Sequence, residues 1–226
     1  LIKNSIYFAL KGPNFDGNNY AKDAIAKGAK LSVVDDFSLK GKSNDIMYVE
    51  DVLGALQGLA IYHRGKIDIP VIGLTGSNGK TTTKNLMEKV LALKYKVAAT
   101  RGNLNNHIGV PLTVLGIKDQ HDIAIVEMGA SAVGEIELLS KISRPTIGMI
   151  TNISNAHVEG FENLEGVIRG KSELFDFLLK KYIIYIFDDD ENSNDTIQYQ
   201  LEQTGKYKVE KFANKESIMK QYADEI

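Results

Sequence analysis

A short β-type run, Val71-Ile72-Gly73-Leu74-Thr75, opens directly into Gly76-Ser77-Asn78-Gly79-Lys80-Thr81-Thr82-Thr83, and a helical pattern follows. No other stretch constrains the fold as strongly, because strand, glycine loop and helix in that order are what a phosphate-binding loop needs. Glycines let the backbone turn so that its N–H groups face an anion, and the next helix adds its positive N-terminus. Lys80 would reach the terminal phosphates and the Thr81 hydroxyl would hold magnesium. The match is to Gly76-x-x-Gly79-Lys80-Thr81 and not to the full G-x-x-x-x-G-K-[ST] pattern, since Leu74 occupies the place of its first glycine. With glycine near 7% of residues, the shorter pattern arises by chance in roughly one chain in a hundred of this size. We read Gly76, Ser77, Asn78, Gly79, Lys80, Thr81 and Thr82 as a nucleotide triphosphate site.

The rest of the chain suits such a site. Its 226 residues carry 43% apolar and 25% charged residues, the balance of an ordinary globular protein. A net charge of −2 gives no basic footprint for a nucleic-acid backbone. The absence of cysteine excludes disulfides, thiolate zinc sites and thiol nucleophiles. No apolar run reaches membrane-spanning length, and Leu1-Ile2-Lys3-Asn4-Ser5 is not a signal peptide, so no membrane insertion is expected. The chain starts without methionine, at the approach to a strand, and reads as a fragment.

Two α/β patterns follow one another. In residues 1–66, Ser5–Leu10 reads as a strand and 11–18 as consecutive turns. Asn19–Lys27 reads as a helix stopped by Gly28, and Leu31–Val34 and Ile46–Val49 as strands. Asp51 caps a helix expected to bury Leu53, Leu56, Leu59, Ala60 and Tyr62. Residues 65–70 read as a linker. In 67–226, strands at 71–74, 96–100, Ile123–Met128, Thr146–Ile150 and Ile183–Phe187 alternate with helices at 81–93, Val133–Ile142 and Leu164–Lys180. Near-continuous apolar strands between helices predict a mostly parallel sheet covered on both faces. The fold class is therefore α/β: a small N-terminal α/β domain followed by a mostly parallel-sheet P-loop domain. In such sheets ligands gather at the carboxyl ends of the strands.

Several polar residues stand at those ends. Glu127 stands at the carboxyl end of Asp122-Ile123-Ala124-Ile125-Val126, where a carboxylate beside a phosphate loop suits magnesium. His157 follows the 146–150 strand; a single histidine is more often structural. The run Gly102-Asn103-Leu104-Asn105-Asn106-His107-Ile108-Gly109-Val110-Pro111 admits two readings, Asx turns or the orientation of a polar ligand. Lys171 reads by spacing alone as a solvated helix lysine. The run Asp188-Asp189-Asp190-Glu191 reads as a solvated turn, and His63 and His121 as background.

Together these segments resemble the Mur ligases, ATP-dependent amide ligases of bacterial peptidoglycan synthesis. The resemblance is carried by Thr75–Thr83, Gly102–Pro111, Glu127-Met128-Gly129-Ala130, Ile150-Thr151-Asn152, Ala156-His157-Val158-Glu159-Gly160-Phe161 and Lys171-Ser172-Glu173-Leu174. In the first section Tyr7-Phe8-Ala9-Leu10-Lys11-Gly12 and Asn14-Phe15-Asp16-Gly17 look like the family's UDP-sugar-binding domain. The asparagine-rich and Glu-Met-Gly-Ala blocks are most similar to the subgroup that adds D-alanyl-D-alanine to UDP-N-acetylmuramoyl-tripeptide. The resemblance implies that Lys80 and Thr81 bind ATP and magnesium, that Glu127 ligates one magnesium and His157 a second, and that Lys171 becomes a carbamate. It also implies that Lys80, His157 and Lys171 serve catalysis. Lys11, Phe15, Asp16, Gly17, Asn103, Asn105, Asn106 and His107 would contact substrate.

On this resemblance residues 1–66 are a UDP-sugar domain lacking its start, and 67–226 an ATP-binding domain lacking its end. The similarity fades beyond about Leu178, and 188–191 resembles only loosely the family's aspartate-containing turn. The implied enzyme is cytoplasmic, does not bind nucleic acid and is favoured as a monomer; the fragment by itself is expected to be inactive. Two other readings stand beside it: another ligase of the superfamily, such as a different Mur enzyme or a folylpolyglutamate synthase, and a nucleotide-binding module without catalysis.

Overall fold

The computed structural model describes residues 2–154, 158–178, 184–186 and 209–211. Two compact units divide the chain, Leu1–Leu59 and Ala60–Ile226.

The first unit opens with β1 (Ile6–Phe8), a hairpin of β2 (Lys11–Gly12) and β3 (Phe15–Asp16), a 3₁₀ turn at Gly17–Tyr20, and α1 (Ala21–Ala26). The stretch 11–18, read from sequence as two turns, thus becomes a minimal antiparallel pair followed by a 3₁₀ turn. Asp16 caps that turn by accepting the Asn18 N–H at 2.9 Å. The α1 helix ends in a Schellman motif at Gly28 (φ +101°): Gly28 N–H donates to Ile25 and Ala29 N–H to Ala24. Then β4 (Leu31–Val34) and β5 (Ile46–Tyr48) complete a parallel sheet in the order β1-β4-β5, with Phe8 opposite Val33 and Val34 opposite Tyr48. Ala9, Ala21 and Val34 form its core, with Tyr7, Leu39 and Ile46 packed against them.

Helix α2 (Val52–Arg64) runs across the division between the units. Its buried row is Val52, Leu56, Ala60 and Arg64, one residue per turn. Leu53 and Leu59, expected inside, are half-buried. Tyr62 is 66% exposed with the Lys66 ammonium 5.3 Å from its ring centre, because it lies across the helix from Leu56. Arg64 was not singled out by sequence. Only 7% exposed, it donates to the carbonyls of Ser143, Ile67, Ile69 and Arg144 at 2.9, 2.6, 3.3 and 3.1 Å, which ties the linker 65–70 to the turn before the last strand of the main sheet.

The second unit continues with β6 (Val71–Thr75), α3 (Lys80–Leu91), β7 (Val97–Ala99), α4 (Gly109–Leu115), β8 (Ile123–Glu127), α5 (Glu135–Ser143), β9 (Ile147–Ile150), α6 (Val158–Phe161), α7 (Leu164–Leu178), β10 (Ile184–Ile186) and β11 (Val209–Lys211). Its main sheet has the order β7-β8-β6-β9 with every pair parallel. Alternating strand residues serve opposite faces. Val71, Ala124 and Val126 pack with Val114, Ile136, Leu174 and Phe175 of α4, α5 and α7; Ile72, Ile125 and Ala99 pack with Met87 and Leu91 of α3. Both faces are therefore covered, as the apolar strands predict. The α4 helix was read as part of a turn-rich block: Pro111 lies in its first turn, where the missing N–H breaks no helical bond. Strands β10 and β11 form a separate parallel pair.

Candidate active site

The loop after β6 is shaped by two glycines for different reasons. Gly76 has φ +143°, and a Cβ there would collide with the Thr151 hydroxyl. Gly79, the N-cap of α3, has open space around it, and what selects glycine is its left-handed φ of +76°. The segment after β9 holds the loop. Ser77 N–H donates to Asn152 O at 3.0 Å, Asn78 N–H to Asn152 Oδ1 at 2.9 Å, and the Thr151 hydroxyl to Asn78 O at 2.6 Å. The Ser77 hydroxyl makes two further bonds to the Ser154 backbone, donating to its carbonyl at 3.1 Å and accepting its N–H at 3.0 Å. The Ser77 and Asn78 amides are thus engaged. The first turn of α3 adds the amides of Lys80, Thr81 and Thr82, which a helix leaves without internal partners.

Lys80 is half-buried. Its ammonium bonds Gly76 O at 2.7 Å and Ser77 O at 3.2 Å, and burial lowers its pKa against the pull of Glu127. The Thr81 hydroxyl meets both Glu127 carboxylate oxygens, at 3.2 and 3.1 Å. Glu127 is 1% exposed at the carboxyl end of β8. Its N–H donates to the Thr100 hydroxyl at 2.9 Å, and Asn105 Nδ2 donates to its Oε1 at 2.8 Å. A buried carboxylate and a hydroxyl at the mouth of a phosphate loop form a hard-oxygen pair that fits Mg²⁺. Among the described residues no group of three or more His, Cys, Asp or Glu could hold a metal.

The asparagine block divides between its two readings. Asn105 faces Glu127, whereas the Asn106 carbonyl oxygen accepts the Ile108 and Gly109 amides at 3.1 and 2.8 Å and supports the start of α4. Asn103 is exposed. The exposed His107 lines a cavity of about 490 Å³ with Lys80, Asn105, Ala130 and Glu135.

Lys171 overturns its reading as a solvated surface lysine. It lies on α7, 2% exposed, with Nζ 3.3 Å from Ala130 O and 5.2 Å from the Phe161 ring centre. Burial first, then the charge of Lys80, brings its pKa down to about 8, against the opposing pull of Glu135 and Glu173. The sequence carried no spacing signal for this, since burial depends on α5 and α6 closing over α7. Glu173, assigned no role of its own from sequence, accepts the Gly134 and Glu137 amides at the start of α5 with its carboxylate. His157 and the acidic run 188–191 lie outside the described residues. His63 Nε2 meets Ile117 O at 2.8 Å, a contact distant in sequence, and His121 Nδ1 accepts the Lys118 N–H of its own turn.

The first unit presents a smaller polar group. Lys11 pairs with Asp35 at 2.8 Å, and Asp35 also accepts from Asn18 at 2.7 Å. Asp16 is occupied by Asn18, and Gly17 O accepts the Tyr7 hydroxyl at 2.9 Å. Phe15 stacks on Tyr20 with ring centres 5.3 Å apart, and both rings are about half exposed.

A parallel sheet, a glycine loop opening α3 and an acid at the neighbouring strand end define a P-loop nucleotide-binding protein. Residues 74–225 match the Mur ligase middle domain, and the chain belongs to the Mur ligase family. It is 41% identical over 192 residues to the UDP-N-acetylmuramoyl-tripeptide–D-alanyl-D-alanine ligase of Bacillus subtilis, covering 84% of this chain and 42% of that protein. To the enzyme of the same name from Escherichia coli it is 35% identical over 204 residues, 88% of this chain and 43% of that one. The structure resembles MurF from Acinetobacter baumannii (TM-score 0.81, 32% identity, 93% of this chain and 46% of that chain). It also resembles MurF ligase from Thermotoga maritima in complex with ADP (TM-score 0.80, 29% identity, 92% and 47%). The chain spans about four-tenths of the length of these curated relatives. No helix among the described residues is long and apolar enough to cross a membrane.

Proposed function

We propose that this chain is the nucleotide-handling part of a ligase that joins D-alanyl-D-alanine to UDP-N-acetylmuramoyl-tripeptide at the expense of ATP. Residues 1–66 would receive the UDP-sugar, through Lys11, Phe15, Asp16 and Gly17, and 67–226 would bind ATP. The observation that carries this reading is the buried Glu127 carboxylate, met by the Thr81 hydroxyl at 3.2 and 3.1 Å and by Asn105 at 2.8 Å beside the loop. The relatives of 41% and 35% identity named for this reaction supply the substrates.

In the reaction the terminal carboxylate of the tripeptide attacks the γ-phosphorus of ATP, ADP leaves, and an acylphosphate forms. The amine of D-alanyl-D-alanine attacks the acyl carbon, phosphate departs with the C–O bonding pair, and the amine loses a proton as the amide forms. Phosphoryl transfer rests on positioning and charge neutralisation, so no enzyme nucleophile is needed. The first-turn amides of α3 would cradle the phosphates, and Lys80 would leave its own loop carbonyls to meet the transferring group. Thr81 and Glu127 would hold magnesium, which offsets charge between ATP and the carboxylate. Asn103, Asn105, Asn106 and His107 would line the cleft.

A second metal site would use His157 and Lys171 as its carbamate. A carbamate forms only from a neutral amine, and a lysine buried with a pKa of about 8 offers a usable neutral fraction near physiological pH. A cytoplasmic location and a monomeric state belong to the same reading. The test is the complete protein assayed with UDP-N-acetylmuramoyl-tripeptide, MgATP and a panel of acceptor amines. Amide formation selective for D-alanyl-D-alanine supports the assignment. Turnover with another acceptor alone points to a different ligase of the family, and ATP binding without turnover to a non-catalytic module.

A further inference from the structure

The row of α3 that begins at the phosphate loop continues with two residues the reaction above leaves unused. Lys80, Lys84 and Glu88 follow at intervals of one turn on one side of the helix. Lys80 serves the loop. Glu88 accepts Arg101 Nη1 at 2.8 Å in a pair whose arginine is largely exposed, an arrangement of small energetic weight. Lys84 differs from both: it is only 4% exposed, and its ammonium donates to the backbone oxygen of Thr100 at 2.7 Å. Burying a lysine is costly unless the head group is bound, and an apolar side chain would serve the packing against β7 without that cost. The position therefore calls for an explanation beyond core filling.

Thr100 supplies it. Fully buried just past β7, it uses each of its polar groups to join a different element. Its carbonyl receives Lys84, its N–H donates to Ile125 O at 3.0 Å, and its hydroxyl accepts the Glu127 N–H at 2.9 Å. A continuous path of hydrogen bonds thus runs from α3 through Thr100 to the backbone of Glu127. The Glu127 carboxylate in turn meets the Thr81 hydroxyl, at the start of the same helix. The ring closes on itself. One side is the direct contact a metal would bridge, and the other is the Lys84–Thr100 link that sets how far Glu127 stands from α3.

We propose that Lys84 is a positioning residue which, through Thr100, fixes the spacing between Glu127 and Thr81 at which a divalent cation can be held. This rests on the reading of Thr81 and Glu127 as cation ligands. Residues that orient metal ligands from behind typically change metal affinity about 10- to 100-fold when lost. A residue that merely filled the core would change stability and leave that affinity alone.

The experiment measures Mn²⁺ binding by electron paramagnetic resonance, with ADP present, on the complete protein. Lys84→Met keeps the stem and removes the ammonium, while Thr100→Val keeps the carbonyl and removes the hydroxyl. Each is expected to weaken Mn²⁺ binding about tenfold, and the double variant to be little weaker than either single one, because both cut the same path. Thr100→Ser, which retains the hydroxyl, should stay near wild type. Folded Lys84→Met or Thr100→Val protein with Mn²⁺ affinity within about twofold of wild type overturns the proposal, and so does full additivity in the double variant. Should Lys84→Met fail to fold, the Thr100→Val and Thr100→Ser pair decides by the same criterion. Wild-type protein that binds ADP but no Mn²⁺ overturns the cation site itself, and with it this role.

Discussion

Replacing Lys171 by methionine should stabilise the folded protein near neutral pH while abolishing the proposed ligase activity of the complete protein. The drop in its pKa from 10.5 to about 8 means that the folded state disfavours the ammonium, by about 3 kcal/mol at pH 7. The sign follows from the direction. A lysine whose folded pKa is lowered destabilises most below about pH 8, and the penalty fades as pH rises from there toward 10.5. By pH 10 roughly 1 kcal/mol of it remains. Methionine retains the apolar stem and loses the charge. It also forfeits the bond to Ala130 O and the contact with the Phe161 ring, together worth about 1 to 2 kcal/mol. The net gain at pH 7 is then about 1 to 2 kcal/mol, reversing to a small loss near pH 10. Urea unfolding of both proteins at several pH values, in carbon-dioxide-free buffer without metal, measures it. The informative quantity is the difference between the proteins, in which other titrating groups cancel. A difference that stays constant from pH 7 to 10 would refute the argument, because Lys171 would then ionise in the fold as it does in water.

Lys80→Ala in the complete protein should lower turnover by at least about a hundredfold, as it removes the charge aimed at the transferring group; steady-state kinetics at saturating MgATP check this. Arg64→Ala should cost the second unit about 3 kcal/mol in denaturant unfolding, since several buried carbonyls lose their donor together, with ADP affinity little changed. Lys171→Ala should lose most activity and regain part of it when acetate supplies a carboxylate near the vacated place. No rescue at any acetate concentration would count against a carbamate.

Much of the fold was legible because periodicity and loop chemistry agreed. The alternation of apolar strands and helices from Val71 onward gave β6, α3, β7, β8, α5, β9 and α7 within a few residues, and the order of glycines gave the loop. The hairpin at 11–16 and helix α4 were missed because asparagine, glycine and proline read as turn formers wherever tertiary packing is not visible. In the candidate site, the meeting of Lys80, Thr81 and Glu127 could be expected from strand ends and loop position alone. Asn105 could be proposed but not separated from Asn106, since the two differ only in which way the chain turns them. Lys84, Thr100, Arg64 and the burial of Lys171 depend on contacts between elements far apart in sequence, and no local pattern marks them.

On the proposed reading, the P-loop serves in the complete protein to phosphorylate a carboxylate, and that role can be followed chemically. It is tested most directly by following oxygen. UDP-N-acetylmuramoyl-tripeptide labelled with ¹⁸O in its terminal carboxylate is turned over by the complete protein with MgATP and D-alanyl-D-alanine, and the released phosphate is examined by mass spectrometry. An acylphosphate requires one carboxylate oxygen to leave with phosphorus, so each phosphate released should carry a single labelled oxygen. Amide formed with unlabelled phosphate, or ATP hydrolysed at the same rate without the tripeptide, would contradict the account.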